Sequence, residues 1–142
     1  MNRFVHLNCH SNFSLLFGGS SADELVRRCA ELEMDTLALT DRDGLYCSVP
    51  FFEKAVEAGI KPVIGCDLSV AVPSNAAGKV AAEGRVILLA RNDEGYGNLC
   101  RAVTERRLGE EPLSLDRLEA LRGGLYALCG DATLLEPLAA TF

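Results

Sequence analysis

The sequence has no apolar run long enough to cross a bilayer. Its longest, residues 36–40 and 86–90, are strand-length, against the roughly 20 residues a membrane helix needs. It opens with no basic-then-apolar leader, so no secretory signal is expected. It has no basic surplus: 14 Lys and Arg face 20 Asp and Glu, for a net charge of −6. Phosphate-backbone binders draw their affinity from cationic side chains, so this chain by itself is a poor candidate for holding nucleic acid by charge. The local cluster Arg101, Arg106 and Arg107 reads as a solvated helix face. None of the six cysteines forms a Cys-x-x-Cys pair, and Cys66 and Cys129 sit in apolar runs, where a free thiol packs as a small hydrophobe. All six are expected reduced, and the protein cytoplasmic. A phosphate-binding glycine-lysine loop, a nucleophile elbow and a dinucleotide-binding glycine fingerprint are all missing.

What is present is an ordinary globular composition, 49% hydrophobic and 24% charged over 142 residues, too apolar for a disordered tail. Strand and helix patterns alternate along it. Strands are expected at residues 4–9, 36–40, 61–72, 85–90 and 125–129. Helices are expected at about 22–33, 49–58, 94–107, 115–121 and 134–140, with a loop at about 73–84. Ser21 and Glu24 have capping-box spacing, and Gly59 is placed to end the second helix. In that helix Phe52 and Val56 are expected to point inward, with Phe51 a further candidate. In the first, Leu25, Cys29 and Leu32 share a face.

Repeated strand–helix units predict an α/β fold with a parallel sheet, either open or part of a (β/α) barrel. A closed eight-stranded barrel takes about 250 residues, so five strands do not close one. In either architecture function gathers at the C-terminal ends of the strands. Three such ends are polar. Alternation on a strand puts His6, Asn8 and His10 on one face, an arrangement suited to a metal or to hydrogen-bonded histidines. Asp41, Arg42 and Asp43 follow the second strand. Asp41 can bind a metal, act as a base or cap a turn, while Asp43, before Gly44, reads as a turn residue. Asp67 lies among Val63, Ile64, Leu68 and Val70, where an unpaired carboxylate is costly, so it needs a partner: a metal, backbone amides, or the guanidinium of Arg42 or Arg85.

The order of these motifs resembles a known family. Phe4-Val5-His6-Leu7-Asn8-Cys9-His10-Ser11, Leu37-Ala38-Leu39-Thr40-Asp41 and Gly59-Ile60-Lys61-Pro62-Val63-Ile64-Gly65-Cys66-Asp67 follow the pattern of the polymerase-and-histidinol-phosphatase (PHP) domain. Leu88-Leu89-Ala90-Arg91-Asn92 and Leu125-Tyr126-Ala127-Leu128-Cys129 extend the match. The details are similar to the N-terminal PHP domain of bacterial DNA polymerase III alpha subunits, and within them to the error-prone, repair-associated branch.

The resemblance implies that residues 1–142 are the N-terminal portion of a distorted seven-stranded, TIM-like (β/α) barrel. It also implies a parent chain that is a DNA-directed DNA polymerase, whose remainder, and through it DNA, would be the partners; no membrane partner is expected. Active family members hold up to three metals on His and carboxylate ligands and hydrolyse phosphoesters, in some polymerases as a 3′–5′ exonuclease. Carried over, one of the strand-one His ligands falls on Asn8 and the other on His10. The next ligand falls on Arg42, the family Glu on Asp67, and a later His on Arg85. His6 and Asp41 match positions beside the ligands.

A guanidinium has no lone pair for a metal. The expected site is therefore a remnant, with His10 and Asp67 the surviving ligands, His6, Asn8, Asp41, Arg42 and Arg85 lining it, no catalytic residue and no cofactor. The alternatives are a phosphoesterase or exonuclease using a divalent metal (Zn, Mn or Mg) on His10, Asp67 and ligands from elsewhere, and a stand-alone half-barrel that completes itself by dimerising or by pairing with another chain, because an open sheet edge is a liability.

Overall fold

The structure is a computed structural model that describes residues 4–73 and 80–142. Nine elements follow in order: α1 (Ala22–Glu31), β1 (Thr36–Leu39), α2 (Ser48–Glu57), β2 (Lys61–Pro73), β3 (Val80–Ala90), α3 (Asp93–Leu108), α4 (Leu115–Ala120), β4 (Leu125–Leu128) and α5 (Ala132–Thr141).

Local chemistry sets the helix ends. The Ser21 backbone N–H donates to Glu24 Oε2 at 2.8 Å, and the Glu24 N–H donates back to Ser21 Oγ at 3.3 Å, the reciprocal capping box that starts α1. Beyond α2 the chain turns at Gly59 with φ +71°, a left-handed conformation that costs glycine least. Asn92 caps α3 by accepting from the Gly95 N–H at 2.9 Å. Gly95 itself lies against the backbone of Gly124: a Cβ there would stand 1.8 Å from the Gly124 carbonyl oxygen, so only glycine lets α3 close on the turn before β4.

One four-stranded sheet runs in the order β1-β2-β3-β4. Only β1 and β2 are parallel, since helix α2 carries the chain back between them. The pairs β2–β3 and β3–β4 are antiparallel, which corrects the expectation of a parallel sheet. No helix separates β2 from β3, and without a crossover the chain can only return antiparallel. The expected loop at 73–84 is likewise shortened. Residues 80–84 belong to β3, and 74–79 lie outside the described residues.

The expected first strand, 4–9, is also corrected: it makes a single bridge, His6 to Leu37, so the described sheet has four strands and not five. Ala38 N–H donates to the His6 carbonyl, and Thr40 N–H to that of Cys9. Two residues on β1 are thus spanned by three on the N-terminal segment. The extra residue is a bulge, and it breaks the alternation there.

Two apolar clusters form. Leu68, Val70, Val86, Leu88, Leu99, Leu118 and Leu134, all fully buried, fill the space between one face of β2–β3 and helices α3 to α5. A smaller cluster joins α1, α2 and β1 around Phe51. Phe52 and Val56 are half exposed, against expectation, and Phe51 and Ala55 take the inward positions. Leu32, expected on one face with Leu25 and Cys29, caps α1 and is half exposed, while Val26 and Cys29 are buried. All six cysteines are free, and burial pushes the Cys66 thiol up to about 12. Among the described residues no helix is long and apolar enough to cross a membrane.

Candidate functional site

Alternation along β2 separates a packing face from a polar one. Cys66, Leu68 and Val70 turn into the larger core, while Asp67 and Ser69 face the other way. Across the ladder, Arg85 of β3 stands opposite Ser69 and diagonal to Asp67, within reach of both. Its guanidinium uses that position fully. Nε donates to Asp67 Oδ1 at 2.8 Å, and one terminal nitrogen donates to Ser69 Oγ at 2.9 Å and lies 3.5 Å from Asp43 Oδ2.

The other side of Asp67 is met by the segment after β1. Arg42 bridges Asp67 in parallel register, and Arg42 Nε lies 3.4 Å from Asp67 Oδ2. His10 Nε2 is also 3.4 Å from Oδ2. Both nitrogens are buried, and neither is aligned for a hydrogen bond. Arg42 stacks its guanidinium on Phe17, 3.6 Å from the ring centre. Beside the cluster opens a cleft of about 390 Å³ lined by Asn8, Asp67, Glu83, Arg85 and Asp131 among others. A larger cleft of about 570 Å³, between α2 and the start of α3, is lined by none of these side chains.

Two carboxylates shape the loop around this cluster. Asp41 is 2% exposed and accepts three hydrogen bonds: from the Ser11 N–H and hydroxyl, each at 2.7 Å, and from the Ser14 hydroxyl at 2.6 Å. The Ser14 oxygen in turn accepts from the Arg42 N–H. Asp43, at φ +45°, accepts from the Ser69 N–H at 2.6 Å and the Ser69 hydroxyl at 2.7 Å. It is therefore a tie between the loop and β2, a role that its turn-like context before Gly44 hides.

Burial alone would raise the Asp43 carboxyl. The two Ser69 hydrogen bonds, with the Arg85 and Arg106 charges, more than offset this and hold it below its ordinary value. A carboxyl depressed by folding stabilises the protein above its unfolded-state pKa, and that contribution disappears as pH falls through the folded-state value. Asp43→Asn, which tolerates the positive φ, should therefore lose stability at pH 7 and show a flatter decline into acid than the parent. Urea midpoints measured across the acid range for both proteins check this.

The structure brings together Asn8, His10, Arg42, Asp67 and Arg85, and places Asp41 directly behind them. Asn8 Oδ1 accepts from the Thr40 hydroxyl at 2.9 Å. His6 does not join them. Because the segment is bulged, His6 turns away, edge-on to Phe4, into a small pocket with Cys9, Leu25 and Cys29. Ser11, Ser14, Ser69 and Phe17 complete the site and were not singled out from sequence. Their partners lie 26 to 30 residues away for the hydrogen bonds, beyond any local pattern.

The residues present do not fit a divalent cation. Among the described residues, no three His, Cys, Asp or Glu side chains gather to hold a metal. The carboxylate best placed to start such a site already has a guanidinium on each oxygen. What the arrangement does is neutralise a nearly buried carboxylate and fasten β2, β3 and the 41–44 loop to one another.

Comparison with known proteins agrees with the motif order. A family model described as the PHP domain matches residues 6–133. The error-prone DNA polymerase of Symbiobacterium thermophilum is 38% identical over 136 residues, covering 94% of this chain and 11% of that one. That of Anaeromyxobacter sp. (strain K) is 44% identical over 108 residues, 76% of this chain and 9% of that one. The DNA polymerase III subunit alpha of Borreliella burgdorferi is 36% identical over 107 residues, 72% of this chain and 9% of that one. The chain thus spans about a tenth of the length of these relatives.

Among solved structures, an amidohydrolase from Chromobacterium violaceum, with sulfate and no metal bound, aligns with a TM-score of 0.56 at 23% identity, over 82% of this chain and 36% of that one. A protein assigned as a metal-dependent phosphoesterase from Bifidobacterium adolescentis aligns at 0.54 and 16% identity, over 73% of this chain and 32% of that one. These two likenesses speak for the fold. With nine-tenths of its length matched by the family model and its sequence shared with polymerase relatives, this chain belongs to the PHP domain family, as a segment homologous to error-prone DNA polymerases and DNA polymerase III alpha subunits.

Proposed function

We propose that this segment is a non-catalytic scaffold, the N-terminal part of a PHP barrel in an error-prone, polymerase III alpha-like DNA polymerase. Its work is to brace the polymerizing remainder of the parent chain, which carries the contact with DNA and the nucleotidyl transfer. The observation that carries this reading is the Asp67 carboxylate held between Arg85 at 2.8 Å and Arg42 at 3.4 Å. Two fixed cations there supply the charge that a metal would otherwise bring, and they hold the strand ends together without chemistry. The surviving ligand positions, His10 and Asp67, face each other at 3.4 Å. With Arg42 and Arg85 in place they form an ion-paired remnant.

The test is thermal unfolding after exhaustive chelation and again with Zn, Mn or Mg added, alongside elemental analysis of the purified chain. The expected result is an unchanged Tm and no stoichiometric metal. A site that binds metal with ligand at 100 times its Kd would add about 2.7 kcal/mol, a shift of several degrees for a chain of this size. Such a shift, together with phosphodiesterase activity lost in His10→Ala, would establish the metal-dependent phosphoesterase reading instead.

A further inference from the structure

Two arginines meet Asp67, and they are held there in different ways. Arg85 is fixed by geometry: Nε donates to Asp67 Oδ1, and its terminal nitrogens donate to Ser69 Oγ and to the Asp67 carbonyl. Arg42 makes no side-chain hydrogen bond among the described residues. Its Nε is buried, 3.4 Å from Asp67 Oδ2 and unaligned with it. Charge attraction has no preferred angle, and a guanidinium on a long stem gives up rotamer freedom to stay in one place. The directional contact on this guanidinium is the Phe17 ring, with Cζ 3.6 Å from its centre.

The loop that carries Phe17 is built to present it. The Ser14 hydroxyl donates to Asp41 and its oxygen accepts from the Arg42 N–H, which ties the loop to the backbone on which Arg42 sits. The Phe17 and Gly18 N–H groups both donate to the Ser14 carbonyl at 2.9 Å. Gly18 then lies against Ser11, where a Cβ would stand 1.9 Å from the Ser11 carbonyl oxygen. Between these ties Leu16 takes φ +68° while its side chain is 101% exposed. A left-handed leucine is strained, and a side chain with no packing of its own does nothing to offset that. What the turn gains is the placement of the next residue, Phe17, on Arg42.

We infer that residues 11–18 form a strap beside the ion-paired centre and that Phe17 is its clasp, a positioning residue that keeps the Arg42 guanidinium against Asp67 Oδ2. With the clasp shut, Asp67 has a cation at each oxygen. With it open, Arg42 moves into solvent and His10 is left as the neighbour of Oδ2. The centre thus has one permanent cation, Arg85, and one that the strap can release. This deepens the scaffold reading and rests on it, since it names the contact that keeps the centre neutralised.

The Nε–H groups of Arg42 and Arg85, followed by NMR in the isotope-labelled chain, report on the strap directly. Phe17 is 64% exposed, so truncating it leaves both apolar clusters intact. Proton exchange with water at Arg42 should be about tenfold faster in Phe17→Ala than in the parent, the ratio that a stacking contact of this kind supports. Phe17→Tyr, which keeps the π face, should restore the parent rate. Exchange at Arg85 should stay the same in both, because its hydrogen bonds do not involve the strap. Phe13→Ala, in the same loop but stacked on Tyr46, should leave Arg42 as it was. An unchanged rate at Arg42 in Phe17→Ala would overturn the inference. So would a parallel rise at Arg85, no rescue by Phe17→Tyr, or the same rise in Phe13→Ala. Metal content of the same samples separates the two proposals. Stoichiometric metal in the parent overturns the scaffold reading, whereas an unmoved Arg42 in metal-free protein overturns the strap alone.

Discussion

Phe51→Ala is expected to lower the unfolding free energy by about 3–5 kcal/mol, while Phe52→Ala, one residue along, should cost well under 1 kcal/mol. Phe51 is fully buried in the cluster that joins α1, α2 and β1, and Phe52 is half exposed. Truncating Phe51 removes a whole ring from water-free packing and leaves a cavity in the cluster that joins α1, α2 and β1. Urea unfolding of the two variants is the check, since a shift in midpoint at constant m-value reports stability directly. The outcome also decides the rotation of α2. The helix offers two apolar stripes, Phe51 with Ala55 and Val49 with Phe52 and Val56, only one residue or about 100° apart. Equal costs at the two positions would mean that the helix is turned differently.

Asp41→Ala should be as damaging, at about 4 kcal/mol. It strands the Ser11 N–H, the Ser11 hydroxyl and the Ser14 hydroxyl in a site where Asp41 is 2% exposed and Ser11 fully buried. Each buried donor left without a partner costs about 1–3 kcal/mol. Asp41→Asn keeps the shape and one carbonyl oxygen and should cost about half as much. Ser14→Ala, which removes one donor to Asp41 and leaves the Arg42 N–H without its acceptor, should cost about 1–2 kcal/mol. The graded series, again read by urea midpoints, separates a hydrogen-bonded anchor from simple packing, for which Asn would equal the parent. Against a typical total stability of 5–15 kcal/mol, the alanine variant approaches the unfolding threshold at physiological temperature.

The family was legible because its motifs are contiguous. The stretch 58–67, with its glycine turn into a strand that carries a carboxylate, carries its meaning in consecutive residues. So did the need for a partner at Asp67: a charge inside an apolar strand must be neutralised, and Arg42 and Arg85 were the cations at hand. The membership of His6 in the site was misread for a physical reason. Alternation holds only on a regular strand, and one bulged residue between His6 and Cys9 reverses it. Asp43 was read as a turn residue because its immediate neighbours say so. Its partners Ser69 and Arg85 lie 26 and 42 residues away and meet it only once β2 and β3 are paired.

The sequence by itself determined where most elements begin and end, because caps, glycine turns and hydrophobic period act over a few residues: Ser21 with Glu24, Gly59, and Asn92 before α3. The family resemblance also implied that Arg42 and Arg85 stand where ligands would, and a guanidinium, with no lone pair, cannot hold a metal there. Only the tertiary structure decided the sheet's direction, the face that α2 buries, the extension of β3 back through an Ala- and Glu-containing stretch, and the gathering of Arg42 and Arg85 on one carboxylate. Each of these rests on contacts between segments far apart in the chain. Local propensity carries no information about which distant surface will be there to cover a residue, or which charge will be there to meet it.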